Sequence, residues 1–166
     1  PVKDNNTRWS SGHDQMEWFR VQQRAVQLYD VEHARKAGDA YKEHQMGLED
    51  WRINVEVTAT LQPIADWTQH LEGTKNYPTL PLVLPATYSA IERMAPKTAL
   101  MLDFPGEDAY ELEPEEMHPG VLEARTDMYD DWVSRWITNI DPEVKRTYAI
   151  ATLLYPCFKT YDFIDG

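Results

Sequence analysis

Apolar residues in this chain recur at helical spacing within segments bounded by proline and glycine, and almost nowhere do they alternate with polar ones. A period near 3.6 residues gathers such positions along one side of an α-helix. From about Ser11 to Ala37 the stripe is Met16, Phe19, Val26 and Tyr29, with Val21, Ala25 and Leu28 beside it. Ser10 or Ser11 is placed to cap this helix, and Gly38 to end it. A second helix is expected from about Leu48 to Leu71, with Leu48, Trp51, Val55, Leu61, Ile64 and Leu71 as its apolar positions and Gly73 closing it. Pro63 should kink it, because proline lacks the amide and crowds the preceding turn. After a turn at Tyr77-Pro78-Thr79-Leu80-Pro81 comes a helix with Leu84, Tyr88, Ile91 and Met94, bounded by Pro96. Pro119 suits the first turn of a fourth helix carrying Leu122, Met128, Trp132 and Trp136. Asp141-Pro142, an N-cap followed by proline at the first helical position, opens a fifth that runs through Tyr148, Ile150 and Leu153-Leu154 to Pro156. Ala149 to Leu154 alone would pass for a buried strand, but the cap and the length favour helix. The expected fold class is all-α, an irregular bundle of about five helices.

With 166 residues, 42% of them hydrophobic, the chain can bury a core. It reads as a single helical domain over residues 1–166. Its net charge of −12 excludes nucleic-acid binding through bulk charge, which needs a basic surface. That charge is unevenly placed. Between Thr98 and Ala124 there is no Lys or Arg but there are eight acids, together with Pro105, Gly106, Pro114, Pro119 and Gly120. Like charges and helix breakers at this density predict an exposed acidic loop, residues 98–120, joining helices. The first 45 residues balance, with seven acids and seven bases. A single cysteine excludes a disulfide framework or a Cys-based zinc site and fits a reducing compartment. No apolar run is long enough to span a bilayer, so a soluble protein without a membrane partner is expected. Pro1, with no signal peptide before it, reads as a processed end or the edge of a fragment.

The usual catalytic constellations are missing: there is no Gly-rich phosphate loop and no Gly-x-Ser-x-Gly elbow. His13, His33, His44, His70 and His118 are scattered without ligand spacing and read as lone surface histidines. Cys157 reads as a semi-buried structural cysteine rather than a nucleophile. Asp130 and Asp131 are adjacent on a helix and diverge by about 100°, so they form a solvated edge rather than an acid/base pair. The Asn5-Asn6-Thr7 glycosylation pattern needs a secretory route.

What stands out is Thr7-Arg8-Trp9-Ser10-Ser11 at the entry to the first helix. Arg followed by an aromatic combines a phosphate-binding cation with a platform on which an unpaired base can stack at ~1–3 kcal/mol. The plainer alternative is a capping loop whose Trp packs on the helix.

In outline the sequence resembles the middle region of hAT-family transposases. Thr7-Arg8-Trp9-Ser10-Ser11 looks like that family's Thr-Arg-Trp-Asn-Ser entry to its first helix. Leu61-Gln62-Pro63 with Thr68 and Leu71-Glu72-Gly73 is similar to its Leu-x-Pro, Thr, Leu-x-Gly helix, and Tyr77-Pro78-Thr79-Leu80 to its next landmark. Ile150-Ala151-Thr152-Leu153-Leu154-Tyr155-Pro156-Cys157-Phe158-Lys159 looks like its Ile-Ala-x-Leu-Leu-Asp-Pro-Arg-Phe-Lys block, with Tyr155 in place of Asp and Cys157 in place of Arg. The resemblance implies an all-α insertion in an RNase H-like core, where the Trp of the Arg-Trp pair stabilises a flipped base as DNA hairpins form. Carried over, Trp9 is the stacking residue and Arg8 its companion.

The resemblance also implies that the Asp-Asp-Glu residues, their magnesium, a BED-type zinc finger and a C-terminal dimerisation segment belong to parts of the parent beyond this chain. No cofactor or catalysis is then expected of this fragment, and nuclear location and homo-oligomerisation belong to the parent. Arg20 and Arg24, one turn apart on one face, are candidate phosphate contacts beside Arg8 and Trp9. The leading expectation is therefore the DNA-end-handling region of a hAT-type transposase. The competing one is a domesticated helical protein-interaction module that no longer contacts DNA, which the net charge and Tyr155/Cys157 favour. An unrelated small helical enzyme is a third reading, disfavoured because no pocket chemistry is visible.

Overall fold

The computed structural model describes residues 9–37, 45–72, 79–103 and 108–155. Among them are five α-helices: α1 (Trp9–Ala37), α2 (Leu48–Leu71), α3 (Val83–Met94), α4 (Pro119–Val133) and α5 (Pro142–Leu154). The mostly all-α expectation holds. Gly38, Gly73, His44 and Cys157 lie outside the described residues.

The helix boundaries follow local chemistry. Ser10 and Ser11 are helical residues inside α1 rather than its caps. In α2, Asp50 accepts the Gly47 N–H at 2.7 Å, reaching back to the residue that precedes the helix. The helix continues through Pro63, which is buried. A 3₁₀ turn, Leu80–Leu82, leads into α3. At α5, the Asp141 carboxylate accepts the Glu143 and Val144 N–H groups at 2.9 and 3.1 Å, with Pro142 at the first helical position. The end of α4 loosens into a π-helical stretch, Ser134–Thr138.

The acidic segment is more structured than a loop. It holds a short antiparallel hairpin, β1 (Leu100–Leu102) and β2 (Tyr110–Leu112), in the register Leu100↔Leu112, Met101↔Glu111, Leu102↔Tyr110. Strand residues alternate faces: Leu102 is 3% exposed while Met101 is 54% exposed. A 3₁₀ turn, Pro114–Glu116, follows with a reciprocal capping box between Glu113 and Glu116. Met117 and Val121 are buried. β1 thus uses one face for burial, whereas in β2 Tyr110 is exposed and Leu112 half-buried, and the described acids of the segment occupy exposed positions.

The contacts divide the chain into two compact units, Pro1–Ala59 with Ala99–Val121, and Thr60–Thr98 with Leu122–Gly166. In the first, Trp51 and Val55 of α2 are buried, as are Leu100 and Leu102 of β1. In the second, Ala90, Ile91 and Met94 of α3 form a core packed by Ile64, Trp67, Met128, Trp132 and Trp136, among others. Trp67 meets Trp132 and Trp136 edge-on, at 5.2 and 5.6 Å between ring centroids, and donates its indole N–H to Thr87 Oγ1 at 3.0 Å. Arg125 is also buried there, its guanidinium donating to the Met94 and Arg93 carbonyls at the end of α3. Burial holds the Arg125 pKa below its ordinary value. The Thr152 hydroxyl of α5 donates to the Pro81 carbonyl at 2.9 Å.

Along the α1 stripe, Met16 and Val26 are half-buried, whereas Phe19, Val21, Leu28 and Tyr29 are exposed. One expectation is corrected: the histidines are not uniformly superficial. His13 is 6% exposed, and His33 is half-buried and stacked edge-on against Tyr29. His70 alone of the described ones is exposed.

Candidate functional site

Of the residues singled out for nucleic-acid contact, Trp9 is the first residue of α1, and Arg8 lies outside the described residues. The side chain of Trp9 is also outside them. The first turn of α1 holds no acid, so no side-chain charge there opposes the positive end of the helix dipole.

Arg20 is 13% exposed in its side chain and is held by Glu17, donating from Nε to Oε2 at 2.7 Å and from Nη2 to Oε1 at 2.5 Å. The same bonds raise the Arg20 pKa and lower that of Glu17. A phosphate reaching Arg20 must compete with a carboxylate already bound in two places. Arg24 is exposed on the next turn. The structure therefore separates the two candidate cations into one engaged and one open to solvent.

The acidic pair Asp130-Asp131 behaves as a solvated edge: both are exposed, and Asp131 takes the Arg135 Nε at 2.8 Å. Among the described residues no three His, Cys, Asp or Glu side chains stand together as a metal site. No helix of the described residues is long and apolar enough to cross a membrane.

Within the first unit, α2 and the hairpin enclose a cleft of about 320 Å³ that sequence reasoning missed. Leu48, Trp51 and Val55 line it from α2, Leu102, Tyr110 and Leu112 from the hairpin, and Gln23 from α1. Arg52 and Glu56 complete the wall. Glu56 is 1% exposed. Its Oε1 accepts from the Arg52 Nε at 2.8 Å and its Oε2 accepts the His118 N–H at 2.7 Å, while Arg52 Nη2 donates to the Glu116 carbonyl. The Glu56 hydrogen bond raises the Arg52 pKa. His118 in turn accepts the Gly120 N–H on Nδ1 at 3.2 Å and places Nε2 3.4 Å from Glu49 Oε1. This assigns the proton to Nε2, since Nδ1 is used as an acceptor. The network ties α2 to the start of α4. The signal available in sequence was the Arg52/Glu56 spacing on one helix side; the partners across the hairpin were not legible.

No family model, curated protein or solved structure matches this chain.

Proposed function

We propose that the chain is the helical DNA-end-handling region of a hAT-type cut-and-paste transposase. The observation that supports this best is that α1, a helix of 29 residues whose first turn carries no acid, begins at Trp9, which Arg8 precedes in sequence. The amide N–H groups of a helix N-terminus suit a phosphate, and an Arg-Trp pair in the sequence there brings residue types that suit a phosphate with an unstacked base beside it. Arg24 lies fifteen positions on, about 22 Å along the axis, or roughly six base steps at 3.4 Å. The region positions DNA and supplies no catalysis of its own. Magnesium, nuclear location and pairing of copies belong to this reading as properties of the parent.

Gel-shift titration of the 166-residue chain against hairpin-ended DNA, at low and high salt, tests it. The wild type should shift the hairpin at low salt, and Trp9→Ala should weaken binding about tenfold, the loss of one stacking contact. Absence of a shift by the wild type at low salt would remove the DNA reading.

A second reading, a domesticated protein-interaction module without DNA binding, is favoured by the capture of Arg20 by Glu17 and by the exposed apolar residues of α1. It predicts no shift at any salt concentration.

A further inference from the structure

We propose that the cleft between α2 and the β1–β2 hairpin docks a basic peptide that inserts one apolar side chain. Its volume, about 320 Å³, lies at the small end of ligand sites and suits a single large side chain rather than a cofactor. Leu48, Trp51, Val55, Leu102 and Leu112 make it apolar. The charged wall residues are already spent, Arg52 and Glu56 on each other and on the Glu116 carbonyl and His118 N–H.

Trp51 is different. It is 2% exposed, and its indole N–H has no hydrogen-bond partner. A buried donor left unpaired is costly, and a peptide carbonyl entering the cleft would relieve that cost.

The surroundings set the sign of the partner. Residues 99–121 carry seven acids and no Lys or Arg. Asp103 follows Leu102, Glu111 lies between Tyr110 and Leu112, and Asp108 and Glu113 flank β2; all four are exposed. A second copy would bring the same acids and a net charge of −12, which opposes self-association at this face. Alternating cationic and apolar side chains satisfy both the cleft and the charge. The site uses neither Arg8 nor Trp9 and is independent of the DNA reading.

The test is fluorescence anisotropy of a short labelled peptide of alternating lysine and leucine, titrated with the full chain. Saturable binding is expected. The triple variant Asp103→Asn, Asp108→Asn, Glu111→Gln changes only exposed positions and should weaken it about tenfold and flatten its salt dependence. Trp51→Phe should weaken it about two- to tenfold, the loss of one hydrogen bond. A lysine–serine peptide should bind far less well. Equal binding of that peptide would reduce the effect to bulk charge and overturn the proposal. So would equal binding of a glutamate–leucine peptide, or wild-type affinity in the triple variant with unchanged circular dichroism. A dimer in sedimentation that excludes the peptide would give the cleft to a second copy and overturn it as well.

Discussion

Glu56 shows how much one side chain can carry when it is buried. Its carboxylate joins a helix to a residue 62 positions away, the His118 N–H at the threshold of α4. Glu56→Ala should destabilise the protein by about 1–3 kcal/mol in urea unfolding, the cost of leaving that part-buried N–H unpaired. Asp141→Ala removes an N-cap and should cost about 1 kcal/mol. The two differ in legibility for a physical reason. The Asp141 cap is closed by residues two and three positions on and can be read from Asp-Pro alone. Glu56 acts across the chain, and nothing in Val55-Glu56-Val57 announces its partner.

Among the described residues, the carboxyls of Glu17 and Asp66 are held below their ordinary pKa and link stability to pH. Hydrogen bonding from Arg20 lowers Glu17 against the opposing effect of burial. In Asp66 burial raises the pKa, but the hydrogen bonds from Arg93 and Gln62 overcome it. A depressed carboxyl stabilises the fold above its unfolded pKa, and that contribution is lost as pH falls through the folded value. Stability should therefore decline on acidification through and below the ordinary carboxylate range. Asp66→Asn should flatten that decline when urea midpoints are measured against pH; an unchanged acid limb would assign it to other groups.

At the scale of elements, helices were legible and the hairpin was not. The α2 span and the openings of α4 and α5 follow from proline, caps and apolar spacing, which act within a few residues. The strands are three residues each, too short for alternation to rise above an acidic, proline-containing background. Their pairing is fixed instead by burial of Leu100 and Leu102. Leu102→Ala should cost about 2–4 kcal/mol, whereas Met101→Ala, on the exposed face, should stay within about 0.5 kcal/mol. Equal effects at both positions would contradict the register. In α1 the helical period was read correctly, but period alone does not say what a stripe packs against, and Phe19 and Tyr29 are exposed. Trp9, expected to precede the first helix, is instead its first residue, and the engagement of Arg20 required the position of Glu17 one turn earlier.

For the whole molecule, the net charge of −12 conceals a division of labour. Residues 98–124 contribute eight acids without a base, whereas the first 45 residues are balanced. The acids along the hairpin would repel phosphates, so the proposed DNA contact is a local one supported by stacking rather than by bulk attraction. Composition revealed the acidic segment, but the partition into two compact units depends on contacts between distant parts of the chain. The central claim is that Trp9 takes up an unpaired base. Steady-state fluorescence of a DNA hairpin carrying 2-aminopurine as its unpaired base measures this directly. Saturating wild-type protein should quench the probe by stacking on it, and Trp9→Ala, with its fold confirmed by circular dichroism, should leave the probe bright. Equal quenching by both proteins, or none by the wild type, would contradict the account.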